Sequence, residues 1–265
     1  MPMSSSPGLG ARCARIVQVV RTLAPRDVRV RYRQSLLDVA WALISPIVVV
    51  IVYGLVLTQS FDVSSACSPY LTSAWTGLVV WTFFATAVGG AVGSLIASSD
   101  LITKVYFPRE AVPAAMALSA LPDLAIGLVT LVALMLIQGV RPGWAAFGAL
   151  LPLVVLLVWT VAISMLVGVV AAFIRDVVHG VHLALRVGFF ATPVMYEASF
   201  LPPQLQWSAS VNPVAVVITA LRSTLLCNEW PDTRLLAIHL VVATALVVVA
   251  MMYTRSVESR ITDVV

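Results

Sequence analysis

This chain of 265 residues contains a single lysine, Lys104, and Thr103 rather than glycine precedes it. A GxxxxGK[ST] loop, whose backbone amides cradle phosphates, is therefore missing, and with it a P-loop nucleotide site. Charge is scarce too: Asp, Glu, Lys and Arg make up 11% of the residues, against about a quarter in an ordinary soluble domain. A proton relay through apolar stretches needs carboxylates there. Only Asp123, and Asp38 at the edge of one stretch, are available, with Arg186 as a basic partner. Asp123 follows Pro122; a functional carboxylate and a structural pairing with Arg186 or a backbone group are both open to it. The three cysteines, Cys13, Cys67 and Cys227, are too scattered for a disulfide framework or a thiolate metal site. His179 and His182 have little beside them but Asp176, so they read as a helix-edge pair before a metal site. Neither a Ser/His/Asp nor a Cys/His constellation is evident. The chain offers no catalytic, metal or cofactor site of its own.

What it has in abundance is apolar sequence: 60% of the residues, with a mean hydropathy of +1.01. A run of about 20 apolar residues crosses the hydrocarbon core as a helix. Six stretches qualify, approximately Val39–Thr58, Thr76–Ala97, Ala111–Gln138, Ala145–Phe173, Val177–Tyr196 and Leu235–Thr254. The fold class is all-α, one polytopic membrane domain over residues 1–265 with six transmembrane helices.

Arginine and lysine orient it. Seven arginines, Arg12, Arg15, Arg21, Arg26, Arg29, Arg31 and Arg33, precede the first stretch. With six spans and an inside N-terminus, the inner segments also hold Lys104, Arg109, Arg175, Arg255 and Arg260; the outer ones hold Arg141, Arg222 and Arg234. Twelve against three obeys the positive-inside bias. The expected location is the inner (plasma) membrane, multi-pass, with both termini cytoplasmic. No apolar core with a small-residue cleavage site precedes Val39, so no cleavable signal is visible. Cys67 and Cys227 both fall outside, which leaves one bridge open to them. The net charge of +4 then reflects topology and anionic headgroups; no basic face interleaved with aromatics points to nucleic acid.

Three segments do not span. Residues 11–24 place Cys13, Ile16, Val17, Val20, Leu23 and Ala24 on one helical face, with Arg12, Arg15, Gln18 and Thr22 opposite. That pattern suits an interface helix on the inner leaflet, or a short helix packed on a soluble partner. Residues 202–226 include an apolar run after Pro213 too short to cross, which suggests external re-entrant helices between spans five and six, or a cap packed on the spans. In SSDLITKVYFPRE, Ser99 or Asp100 can cap a short helix that Pro108 ends. Leu101, Ile102, Tyr106 and Phe107 are apolar beside Lys104, Arg109 and Glu110. Over 99–107 this is a helix that a soluble motor subunit could grip, or a loop packed on its own spans.

Four blocks, in order and nearly covering the chain, carry a family resemblance. They are RDVRVRYRQSLLDVAWALISP; LITKVYFPRE with Pro113; FIRDVVHGVHLALRVGFFATPVMYEASFLP; and Asn212-Pro213 with Arg222, closed by Glu258 to Val265. In these the chain resembles the permease subunits of type 2 ATP-binding cassette exporters, above all exporters of O-antigen, teichoic acid and related lipid-linked glycans. The resemblance implies a permease homodimer bound to two copies of a separate nucleotide-binding ATPase subunit, which holds ATP and Mg. Residues 99–107 would be the coupling helix, through Leu101, Ile102, Lys104, Tyr106, Phe107 and Arg109. Residues 11–24 would be a gate helix and 202–226 a re-entrant hairpin. The cargo would be a glycan on a polyprenyl diphosphate lipid.

Sugar rings present C–H faces that stack on aromatic planes, so Tyr53, Trp81, Phe83, Phe84 and Tyr196 are candidates for the substrate path; lipid anchoring or packing is open to each. Arg29, Arg31 and Arg33 could contact a diphosphate headgroup bidentately, or serve positive-inside retention alone. Export of a drug or small amphiphile, and a membrane scaffold without a motor, are the competing functions.

Overall fold

The computed structural model of this chain describes residues 9–32, 48, 52, 67–99 and 107–264. Every regular element among them is helical. A segment in hydrocarbon has no water to satisfy its amides, and a helix satisfies them within itself. In chain order the helices are α1 (Leu9–Tyr32), α2 (Tyr70–Val92), α3 (Ala111–Leu118), α4 (Leu121–Ile137), α5 (Leu150–Phe173), α6 (Asp176–Ala191), α7 (Gln206–Val211), α8 (Pro213–Leu225) and α9 (Thr233–Val264), with a single turn at Ser94–Ala97.

Among the described residues, four stretches are long and apolar enough to cross a membrane: Tyr70–Val92, Ala111–Ile137, Trp144–Phe173 and Thr233–Glu258. They fall on the expected second, third, fourth and sixth spans. The first, Val39–Thr58, lies outside the described residues apart from Val48 and Val52. The fifth is helical only over the 16 residues of α6, about 24 Å at the α-helical rise. It stops because Thr192 precedes Pro193, whose ring drives it into extended backbone, φ −97° and ψ 138°. The expected third span is broken between α3 and α4. Pro122 has no N–H for the Leu118 carbonyl, and the chain tightens there, with Ala120 N–H donating to Ala117 O at 3.2 Å. Asp123 consequently sits in the first turn of α4, where the helix dipole favours a carboxylate.

Helix α2 is the most enclosed of the four candidate spans. Phe83 from it, Leu131 and Met135 from α4, Leu156 from α5 and Ile218 and Leu221 from α8 are all under 2% exposed in one cluster. The most extensive pairing is α5 with α9. Small residues let α3 approach closely: a Cβ at Gly168 of α5 would stand 2.7 Å from Pro113 Cβ.

The expected gate helix is longer than residues 11–24. It runs through Pro25 to Tyr32 and packs chiefly on α3. Ile16 and Leu23 are buried against the chain's own Met165, Met251, Leu95 and Phe107, while Val17 and Cys13 are exposed.

At the opposite end of the bundle, one side chain organises the break after α6. Arg222 of α8 donates from Nε to Ser73 O (3.1 Å), from Nη1 to Pro193 O (3.1 Å) and Tyr196 O (2.9 Å), and from Nη2 to Val194 O (2.6 Å). Irregular backbone at Pro193–Tyr196 is thereby satisfied by a guanidinium in place of a helix. Gly77 makes room: a Cβ there would run into the same Val194 carbonyl. Asn212 then starts α8, its Oδ1 accepting from Val214 N (3.0 Å) while its Nδ2 donates to Thr192 Oγ1 (2.8 Å). The expected 202–226 segment is thus a helical hairpin, α7 exposed and α8 largely buried on α2 and α5.

Cys67 and Cys227 are disulfide-bonded, with Cα atoms 5.0 Å apart, inside the range a bridge requires. The bond ties the segment before α2 to the end of α8. The unreduced chain is expected to migrate faster in a denaturing gel than the reduced one, and Cys67→Ser to abolish the difference. Equal mobility before and after reduction would count against the bridge.

Candidate coupling site and transport path

At the α1 end, three segments far apart in sequence meet on one guanidinium. Arg12 donates from Nε to Glu110 Oε1 (2.6 Å) and from Nη2 to Glu110 Oε2 (3.0 Å), a two-pronged pairing. Its Nη1 and Nη2 also reach Glu258 Oε2, each at 3.2 Å. Glu110 is fully buried, and Arg12 and Glu258 are nearly so, with side chains 11% and 17% exposed. The hydrogen bonds to Glu110, outweighing burial, push the Arg12 pKa up, so the cation is firmly held. On the helical wheel Arg12 belongs to the solvated face; in the fold it turns inward. Glu110 adjoins the expected coupling segment and Glu258 lies on α9, so this cluster joins α1, the start of α3 and the last helix.

Of the six residues expected to couple, Leu101, Ile102, Lys104 and Tyr106 lie outside the described residues. Phe107 is buried with Leu23, Leu95, Val112 and Val169. Arg109 is 4% exposed, its guanidinium carbon 5.6 Å from the Phe107 ring centroid, a distance at which cation–π attraction operates. Both side chains are packed into the bundle. Arg29 lies on α1 and is exposed; Arg31 is on the same helix; Arg33 lies outside the described residues.

The aromatic candidates divide. Tyr53 lies outside the described residues, and Phe83 is enclosed in the core at 1% exposure. Trp81, Phe84 and Tyr196 are brought together along α6. Trp81 stands 5.8 Å from Phe84 and 6.0 Å from Phe189, and Phe189 stands 5.3 Å from Phe190. The Tyr196 hydroxyl donates to Phe190 O at 2.9 Å. Phe189 and Phe190 were not singled out by the sequence, because nothing in an apolar run marks which rings touch.

Helix α6 buries none of its residues in the monomer. At 100° per residue, His179, His182, Arg186 and Phe190 fall within one narrow stripe, and all four are exposed. If α6 spans as expected, a charged and imidazole-bearing stripe on it calls for a water-filled cavity or a partner rather than lipid. Among the described residues, no group of three His, Cys, Asp or Glu could hold a metal.

Comparison with known proteins bears on both ends of the bundle. The family model for the ABC-2 type transporter matches residues 18–226. The chain is 29% identical over 217 residues to the O-antigen export system permease protein RfbA of Myxococcus xanthus, covering 80% of this chain and 82% of that one. It is 25% identical over 199 residues to an O-antigen export system permease protein RfbA of Klebsiella pneumoniae, covering 74% and 76%. A second such permease from that organism matches at 25% over 198 residues.

Proposed function

The chain belongs to the ABC-2 type transporter family, and we propose that it is the membrane subunit of an exporter that moves a lipid-linked cell-envelope polysaccharide outward across the inner membrane. The observation that carries this is the likeness to O-antigen export permeases over about three-quarters or more of both chains. As a family of membrane subunits, ABC-2 permeases leave ATP hydrolysis to a separate subunit, and this sequence has no P-loop. ATP and Mg belong to that partner.

Two further spans, Val39–Thr58 and α6 continued to Tyr196, bring the number to six. The Lys/Arg asymmetry and the Cys67–Cys227 bond both orient the chain, since disulfides persist in an oxidising compartment. Cytoplasmic termini, the Arg222 hairpin outside and the Arg12 cluster inside follow. With reductant present, a membrane-impermeant maleimide added from outside should label Cys67 and Cys227 and spare Cys13; the reverse pattern would invert the topology.

Two permeases and two ATPase subunits form the exporter, and the α6 stripe of each permease faces the shared channel. Trp81, Phe84 and Tyr196 line or shape this path from behind α6. At the inner surface α1 lies along the leaflet, with Arg29, Arg31 and Arg33 meeting the diphosphate headgroup. The α7–α8 hairpin dips back from the outer surface. Residues 99–107 enter a cleft of the ATPase: Leu101, Ile102, Lys104 and Tyr106 make the contact, while Phe107 and Arg109 hold the loop to the bundle. Displacement of the loop then reaches α1 and α9 through Glu110.

The test is to tag the chain in its native membrane, purify it gently and identify what accompanies it. A stoichiometric subunit with Walker motifs, and loss of surface polysaccharide on deletion, are expected. Absence of any ATPase under conditions that keep other transporters whole would leave a scaffold. Tyr106→Ala is expected to abolish export with membrane insertion intact; export at the normal level would remove residues 99–107 from the coupling role.

A further inference from the structure

A cavity of about 410 Å³ lies between the α7–α8 hairpin and the start of α9, at the Arg222 end. Its size is that of a small-molecule site. Val216, Ala220 and Leu236 give it apolar walls, and Gln206, Thr219, Ser223 and Asp232 give it polar ones. These polar groups are fixed by the fold. The Gln206 amide donates to Leu201 O at 3.1 Å, which holds the side chain in place and leaves its carbonyl oxygen as an acceptor. Asp232 caps α9, one oxygen accepting from Arg234 N (3.0 Å) and Leu235 N (3.1 Å), with the second oxygen left over. Ser223 donates to Thr219 O at 3.1 Å and keeps its own lone pairs.

The set is rich in acceptors, carries one carboxylate, and includes no arginine, lysine or histidine. A phosphate or anionic headgroup would find no counter-charge here and a carboxylate against it. A polyol is the complement: its hydroxyls donate to the carboxylate and amide oxygens and accept from Thr219, while its C–H faces lie on the aliphatic walls. We propose that this cavity binds a neutral sugar residue of the glycan as it leaves the channel on the outer face. The assignment rests on the polysaccharide-export function argued above. It makes the hairpin a second point of contact with the cargo, distinct from the aromatic chain behind α6.

The probe is the polymer made by the cell itself. A photo-crosslinking amino acid, p-benzoylphenylalanine, is placed at Ser199, an exposed residue of the lining, in a deletion strain that the tagged chain restores to export. Irradiation is expected to give a glycan-bearing adduct there, and none when the label sits at Ile137, which does not line the cavity. Two variants test the chemistry without disturbing the helices. Asp232→Asn retains an N-cap of equal quality but loses the charge. Thr219→Trp fills the cavity from an exposed position. Asp232→Asn is expected to lower surface polymer about tenfold, the ratio that one lost charge-assisted hydrogen bond gives, and Thr219→Trp to lower it at least as far by excluding the sugar, with chain abundance and ATPase co-purification unchanged. Export at the wild-type level by both variants overturns the proposal. So does the lack of an adduct at Ser199 in cells that export normally, or an adduct that persists when polymer synthesis is blocked. None of these three results touches the exporter function. That function fails separately, and the cavity with it, if the unaltered chain does not restore polymer to the deletion strain.

Discussion

Arg222→Ala is expected to abolish export and to remove most of the folded chain with it. Four of the five guanidinium donors are engaged, on the carbonyls of Ser73, Pro193, Val194 and Tyr196. Three of those carbonyls belong to a stretch that Pro193 prevents from continuing as helix, so no N–H further along the chain can replace the lost partners. Truncation leaves them buried without donors and opens a space beside Gly77 and Leu221. The cost is on the order of 3–5 kcal/mol, that of breaking a buried charged network from one side, against a total stability of about 5–15 kcal/mol for an ordinary domain. Arg222→Lys should fail nearly as badly, because an ammonium has three donors at one point and cannot reach carbonyls spread across two segments. The check is the temperature at which the detergent-solubilised protein aggregates, together with chain abundance in the membrane. A lysine variant with normal abundance and export would show that charge alone matters there and that the fork geometry does not.

Glu110→Ala is the second large effect, of another kind. Glu110 is fully buried and holds Arg12 by two hydrogen bonds, with Glu258 as the remaining partner. Removing it leaves a nearly buried guanidinium with half its compensation, at a cost of about 3–5 kcal/mol by the same reasoning. The pair also connects the loop to α1, so motion of the loop should no longer move α1. Export is expected to fall below detection, while the ATPase subunit still co-purifies and still hydrolyses ATP. Glu110→Gln, which keeps the shape and loses the charge, should lose nearly as much export as Glu110→Ala, because Arg12 then has Glu258 alone as counter-charge. Export by the glutamine variant at the wild-type level would mean that the cluster acts through its packing and not as an ion pair.

Much of this architecture follows from composition. Runs such as Leu150–Phe173 and Leu235–Thr254 have no soluble alternative, since burying so much apolar surface in water would need a core larger than 265 residues provide. The arginine asymmetry is a reason to expect one orientation before any fold is known, because the positive-inside bias depends on the charge of the flanking segments. The position of α8 could also be foreseen, from an apolar run too short to span after Asn212-Pro213.

Tertiary structure alone decided which polar groups meet. Arg12 and Glu258 are 246 residues apart, and Arg222 and Ser73 are 149 apart; no local pattern encodes partners at such distances. The wheel put Arg12 on the solvated side because a wheel weighs one helix alone, whereas a buried carboxylate from a neighbouring helix outbids water for a guanidinium. The pairing of Cys67 with Cys227 was open in the sequence, and only the fold brought their Cα atoms to 5.0 Å. Phe83 and Trp81 look alike in an apolar string, yet one faces the core and the other reaches Phe189. Hydrophobicity determines that a segment enters the membrane, and it is nondirectional. Hydrogen bonds and charges are directional, so their partners exist only once the chain has folded.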